Sequence, residues 1–166
     1  MIIAIDPGNK ESGYAIVSND YLPIKFGKEE NNTILDIISL CDRYEIDHAV
    51  IEMVASYGMP VGETVFDTCV WIGRFVQMCE DWEIPVSFVK RKEYVTDLCG
   101  SAKAKDANVI QYLIDRFAKD TPNRGKGTKK APGFFYGFHA DCWQAQAIAV
   151  WYIDKERSCS QKNKER

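Results

Sequence analysis

The stretch IIAIDPGNKESGYAIV, residues 2–17, constrains this chain more than any other. An unbroken apolar run from Ile2 to Ile5 ends on Asp6 and Pro7-Gly8, and a second apolar run, 13–17, follows the polar turn NKES. Apolar and β-branched runs on either side of Asp, Pro, Gly and Asn read as two strands of a hairpin. A strand that is apolar at consecutive positions has both faces covered, so the first strand belongs inside a sheet with helices on both sides. That points to an α/β protein with Asp6 at the carboxyl end of a central strand, where open sheets present their ligands. Asp-Pro-Gly is equally good turn chemistry, so Asp6 by itself is as readily a turn former as a functional acid.

The rest of the chain supplies the other layers. Residues 22–28 read as a third strand, with Pro23 marking a sheet edge. Asn32-Thr33 is placed to cap a helix running to residue 44, whose Ile34, Ile37, Ile38 and Cys41 recur at helical spacing. HAVIEM is then a second buried run, closing on Glu52. A helix between two strands makes a crossover, so this strand should lie parallel to the first. The glycine- and proline-containing loop VASYGMPVG carries Tyr57 and leaves the same sheet end as Glu52.

A helix is expected over 63–82, with Val65 or Phe66, Cys69, Ile72 or Gly73, and Val76 buried, and with Trp71 and Phe75 as exposed candidates for a subunit interface. Residues 85–89 form a fifth strand, and KRKEYVTDLCG a short basic helix stopped by Gly100. Ile110, Leu113, Ile114 and Phe117 give one face of a helix within 103–119. Residues 120–137 form a long loop with a basic patch, Arg124, Lys126, Lys129 and Lys130; the Phe134, Phe135, Tyr136 and Phe138 cluster is too aromatic for a disordered segment. The last element is a nearly all-apolar helix from His139 or Asp141 to Lys155. The result is one five-stranded mixed sheet flanked by helices, a single domain over 1–157, and a polar tail, 158–166, expected to fray.

No window approaches the roughly 18 apolar residues of a membrane span, and the N-terminus does not read as a signal peptide, so the expected location is cytoplasmic. The six cysteines include no C-x-x-C pair, which leaves a zinc ribbon or thioredoxin-type site without support. The net charge of −3 argues mildly against nucleic acid, but its distribution does not. Residues 1–89 hold 5 Lys/Arg against 15 Asp/Glu, whereas residues 90–130 hold 11 against 5. A local basic surface on an acidic protein is what a polyanion-binding face leaves in a sequence.

Asp6 and Glu52 close the two most apolar strands, and Asp141 opens the final helix. If the two strands are neighbours, both carboxylates emerge at one sheet edge, where they repel unless a proton or cation sits between them. Hard oxygen ligands on rigid strands suit Mg²⁺ or Mn²⁺. Asp141 has its own structural use as a helix N-cap. His139, two residues earlier, is a metal-ligand or proton-transfer candidate, though a surface histidine is the commoner case. Gln144 lies one turn into the helix and within reach of the same site.

IIAIDPGNKESGYAIV followed by VIEM, the basic helix KAKDANVIQYLIDRF, and an acid opening an A-x-A-I-A helix together resemble the RuvC family of Holliday junction resolvases. The motifs ASYGMPVGETVF, WIGRF and KGTKKAPGFFYG look more like the RuvC-like proteins of bacteriophages. The resemblance is strongest over 2–17, 49–53 and 102–149. It implies a ribonuclease H-like fold and a homodimeric endonuclease that nicks two symmetric strands of branched DNA. Asp6, Glu52 and Asp141 would be the catalytic acids holding two Mg²⁺ or Mn²⁺ ions. Lys103 and Lys105 would contact phosphate, as would Lys129 and Lys130, and Tyr57 would stack on an unpaired base.

There is one departure. The family carries two acids three residues apart on the last helix, some members having His at the first; here the pair is Asp141 and Gln144, or His139 and Asp141 if the register slips. The site is one carboxylate short either way, and substrate choice then extends to forks and flaps. Two rival readings stay open: a branched-DNA-binding protein without catalysis, and an actin-like nucleotide-binding module, for which the chain is short.

Overall fold

The computed structural model describes residues 1–56, 58 and 60–164. Three strands, β1 (Ile2–Asp6), β2 (Glu11–Val17) and β3 (Pro23–Glu30), lead into two short helices, α1 (Asn31–Ile38) and α2 (Cys41–Tyr44). Then come β4 (His48–Glu52), α3 (Glu63–Asp81), β5 (Val86–Val89), α4 (Arg91–Cys99), α5 (Asp106–Phe117) and α6 (Cys142–Lys164). The sheet order is β3-β2-β1-β4-β5, with β1 antiparallel to β2 and parallel to β4. The expected mixed sheet and its parallel crossover are both present.

The unbroken apolar runs have the expected cause. Ile2, Ala4, Ala15, Val17 and Val50 pack on one face against α4, α5 and α6. Ile3, Ile5, Tyr14, Ile16, Ala49 and Ile51 pack on the other against α1 and α3. Side chains alternate along a strand, so Asp6, in phase with Ile2 and Ala4, faces the α6 side. Glu52, in phase with Val50, faces the same way.

Four details differ from the sequence reading. The helix expected up to residue 44 is two, broken at Ser39 and Leu40, where the Ser39 hydroxyl donates to the Asp36 carbonyl at 2.7 Å. Asn32-Thr33 does not cap it; the N-cap position is Glu30, with no side-chain cap bond.

The buried stripe of α3 is Thr68, Ile72, Phe75 and Cys79. Phe75 is in the core and is no interface residue, while Phe66 and Val70 are 62% and 64% exposed. α3 carries apolar residues on two faces, and the burial of Thr68 is made possible by its hydroxyl donating to the Thr64 carbonyl at 2.8 Å.

The basic loop, by contrast, is ordered, as its aromatic residues imply. Thr128 and Ala131 exchange backbone hydrogen bonds of 2.9 and 3.1 Å across a small hairpin whose exposed tip is Lys129-Lys130. The fully buried Phe135 and Phe138 anchor it to the core. Finally, the polar tail continues α6 as far as Lys164, the limit of the described residues, instead of fraying from 158. No helix among the described residues is long and apolar enough to cross a membrane.

Candidate active site

The site is built on one crosswise row of the sheet. Asp6 on β1 pairs with Gly13 on β2, and Gly13 with Lys28 on β3. On the other side Ile5 pairs with Ile51, so the next residues along, Asp6 and Glu52, lie abreast at the ends of parallel strands. Asp141, at the start of α6, is laid directly over this row. A Cβ on Gly13 would sit 2.7 Å from the Asp141 Cβ and 2.8 Å from its carbonyl oxygen. Only a residue without a side chain lets the helix start come down on the strand here.

The turn after Asp6 is fastened from below. The Ser12 hydroxyl accepts from the Gly8 amide at 3.1 Å and donates to the Asn31 side-chain oxygen at 2.6 Å, and the Asn31 amide donates to the Gly8 carbonyl at 2.9 Å. Ser12 and Asn31 are each 1% exposed, so the bond between them at the base of this ring is shielded from water. Asn31→Ala leaves buried partners unpaired and is expected to lower stability by about 1–3 kcal/mol. Denaturant unfolding checks it; an unchanged midpoint would show that the ring does not hold the turn.

Electrostatically, Asp6 is the centre. Burial, then the neighbouring charges of Glu52 and Asp141, push its carboxyl from 3.8 up to about 8, against the opposing pull of Arg91. Burial also raises Glu52, opposed by a hydrogen bond from Tyr94 and the charge of Arg91. Asp141 is half-exposed and ion-paired, its Oδ2 lying 2.9 Å from Lys28 Nζ. Exposed pairs of this kind contribute at most ~1 kcal/mol, so Asp141 is easily released.

Among the described residues, no three His, Cys, Asp or Glu side chains form a ready-made metal cluster. The donor chemistry of the row still fits a hard divalent cation: two half-buried carboxylates side by side, one of them pushed far towards its neutral form, with a third acid alongside.

The other expected residues divide. Gln144 is brought to the site, but its Oε1 already accepts from Arg91 Nη1 at 3.3 Å and lies 3.1 Å from the Tyr94 hydroxyl. His139 is exposed and bound to the Gly137 carbonyl at 3.0 Å, a local turn contact. Lys103 and Lys105 are exposed just before α5, Lys103 beside a groove of ≈ 320 Å³ that also touches Arg91 and Lys92. Lys129 and Lys130 sit on their hairpin tip. Tyr57 lies outside the described residues.

Sequence reading missed Lys28, Arg91 and Tyr94. Arg91 and Tyr94 are three apart on α4, a spacing that puts both on one helix face. The basic character of that helix hid a pair directed inward.

With this geometry in view, the fold can be compared with solved structures. Thermus thermophilus RuvC aligns with a TM-score of 0.70 at 14% identity, over 95% of this chain and 95% of that one. The chain shares its fold with RuvC. T. thermophilus RuvC in complex with a Holliday junction substrate matches at a TM-score of 0.69 and 15% identity, over 95% and 94%. The yeast mitochondrial Holliday junction resolvase Ydc2 matches at 0.58 and 10%, over 92% of this chain and 78% of that one. The α/β architecture is thus the ribonuclease H-like fold of these resolvases. No protein-family model matches the sequence, and no curated protein does.

Proposed function

We propose that this chain is a divalent-metal-dependent endodeoxyribonuclease that resolves four-way DNA junctions, and other branched DNA, by paired phosphodiester hydrolysis. The observation that carries the reading is the Asp6 carboxyl, pushed up to about 8 beside Glu52 and under Asp141, on the fold of RuvC. Asp6 and Glu52 would hold Mg²⁺ or Mn²⁺, with Asp141 completing the set once Lys28 lets go. Two such ions would activate the attacking water and stabilise the leaving 3′ oxygen.

The chain's own residues bind and orient the DNA. Lys103 and Lys105 meet phosphates next to the acids, Lys129 and Lys130 meet them from the hairpin tip, and Tyr57 stacks on an unpaired base. Two symmetric nicks need two copies; the exposed Phe66 and Val70 on α3 are the apolar surface on which a homodimer would form.

One observation favours a second reading, binding without cleavage: position 144 is an amide already engaged by Arg91 and Tyr94. The actin-like module is disfavoured, because RuvC matches nearly end to end in both directions.

A synthetic four-way junction with the purified protein and Mg²⁺ separates these. Paired, metal-dependent nicks support the nuclease. Tight binding without cuts in Mg²⁺ or Mn²⁺ supports the binding protein, and ATP turnover defeats both. Replacing Lys129 and Lys130 by Ala should weaken junction binding and flatten the dependence of log affinity on log salt by about 1–2 units, slightly less than one per lost phosphate contact. An unchanged slope would take the hairpin off the DNA surface.

A further inference from the structure

We propose that Arg91 and Tyr94 form a bracket that fixes the Glu52 side chain, and that Gln144 is an acceptor held by Arg91 outside that path rather than a metal ligand. The inference deepens the nuclease reading and rests on it.

The contacts form a chain with a beginning and an end. Arg91 is ion-paired through Nη2 with Asp106 at the start of α5. Its other terminal nitrogen, Nη1, donates to the Tyr94 hydroxyl at 2.9 Å and to Gln144 Oε1 at 3.3 Å. The Tyr94 hydroxyl lies 3.1 Å from Glu52 Oε2 and 3.1 Å from Gln144 Oε1. Tyr94 has one hydroxyl hydrogen for those two oxygens. An ionised carboxylate is the stronger acceptor, so the hydrogen goes to Glu52 while Arg91 alone supplies Gln144. Each of the three bonds then has its own hydrogen. Asp106 thereby holds Arg91, Arg91 holds Tyr94, and Tyr94 holds Glu52.

Burial makes the bracket rigid. Tyr94 is fully buried and Gln144 is 7% exposed, so neither has room to take another rotamer or a water partner in exchange. Both come from elements that pack on each other, α4 and α6, and α6 packs in turn on the sheet.

The neutral amide at 144 has a definite use here. A carboxylate in its place would make a direct ion pair with Arg91 and draw the guanidinium off Tyr94. An amide oxygen accepts the same bond without cancelling the charge, and Arg91 still acts on both Asp6 and Glu52. The same guanidinium argues against a ligand role. An oxygen that accepts from a fixed cation is a poor place for a second, divalent one.

The test measures Mn²⁺ affinity of the DNA-free full-length protein by calorimetry, and single-turnover cutting of a four-way junction, for wild type and for Tyr94→Phe, Arg91→Lys and Gln144→Met. Tyr94→Phe keeps the buried volume, and thermal unfolding confirms that each variant is folded. Loss of an outer-sphere partner of a metal ligand costs about 10–100-fold in affinity or activity. Tyr94→Phe and Arg91→Lys are expected to lose about 10-fold or more in Mn²⁺ affinity and in rate. Gln144→Met, which leaves the Arg91–Tyr94–Glu52 path intact, should stay within about threefold of wild-type Mn²⁺ affinity, well below that cost.

A Gln144→Met variant that loses Mn²⁺ as completely as Asp6→Asn would make Gln144 a ligand and overturn the assignment. Tyr94→Phe and Arg91→Lys variants with wild-type affinity and rate would overturn the bracket while leaving the nuclease reading in place. Wild-type protein that neither binds Mn²⁺ nor cuts defeats that reading, and the bracket falls with it.

Discussion

Asp6→Asn is expected to abolish junction cutting and, in the same molecule, to raise the melting temperature of the metal-free protein at pH 8. The two effects share one cause. Asp6 is the most buried of the acids in the row and feels both of the others. On the proposed reading its carboxylate is the centre of cation affinity, so its loss should lower the rate by more than about 100-fold, beyond what outer-sphere changes cost. As a buried charge without a cation it is a burden on the fold.

The sign follows from linkage. The folded protein holds the Asp6 proton up to about pH 8, whereas the unfolded chain releases it near 3.8. Between those values the folded state binds the extra proton, so stability contributed by Asp6 is whole below pH 3.8 and is lost as pH rises towards 8. An asparagine has nothing to titrate. In EDTA, the melting temperature of Asp6→Asn minus that of wild type should therefore grow steadily from pH 4 to pH 8, and Mn²⁺ should stabilise wild type alone. Parallel melting curves across that range, with no Mn²⁺ response in either protein, would show that Asp6 is an ordinary turn aspartate.

Much of this site is legible in the sequence because it sits where hydrophobic pattern and chemistry coincide. A doubly buried strand has to be central, and the first polar residue after it has to emerge at the sheet end. That argument yields Asp6 and Glu52 without any knowledge of the partners. Gly100, at φ 70°, ends α4 as expected for a left-handed helix stop.

What pattern does not carry is the identity of long-range polar partners. Asn31 looks like a loop residue next to a helix cap, yet it is fully buried because Ser12 and Gly8 use up its amide. Arg91 and Tyr94 look like a solvated basic helix, but their contacts lie 42 to 53 residues away in Glu52 and Gln144 and are fixed only when α4 and α6 meet. The α3 stripe was ambiguous for a different reason: a helix with apolar side chains on two faces has no single best period. Only packing decides that Phe75 goes in and Phe66 stays out.

The other large effect is expected from Gly13, a residue with no functional group. Gly13→Ala should displace the start of α6 and cut activity severely while the rest of the fold survives. Its new Cβ would meet the Asp141 Cβ at 2.7 Å, the carbonyl oxygen at 2.8 Å and the carbonyl carbon at 3.0 Å. Two of the three obstacles are backbone, so no rotamer change clears them; the strand or the helix has to move. Neither moves freely. β2 is paired on both sides, to β1 and to β3, and α6 is buried along nearly its whole first half, from Cys142 to Ile153.

Overpacking of this kind costs about 1–3 kcal/mol, which lowers the melting temperature without unfolding the protein. The functional loss should exceed the stability loss, because the residue pushed away is Asp141 itself. Lys28, next in the row, then loses its 2.9 Å partner. Circular dichroism should report a folded protein, and Mn²⁺ calorimetry a site weakened at least about 10-fold, the scale of other displaced ligand supports. Gly8→Ala provides the contrast: its Cβ would strike the Glu11 carbonyl oxygen at 2.2 Å, within the turn, and so should act mainly on stability. A Gly13→Ala protein that binds Mn²⁺ and cuts junctions like wild type would mean that Asp141 needs no close seat on the strand, and would remove it from the catalytic set.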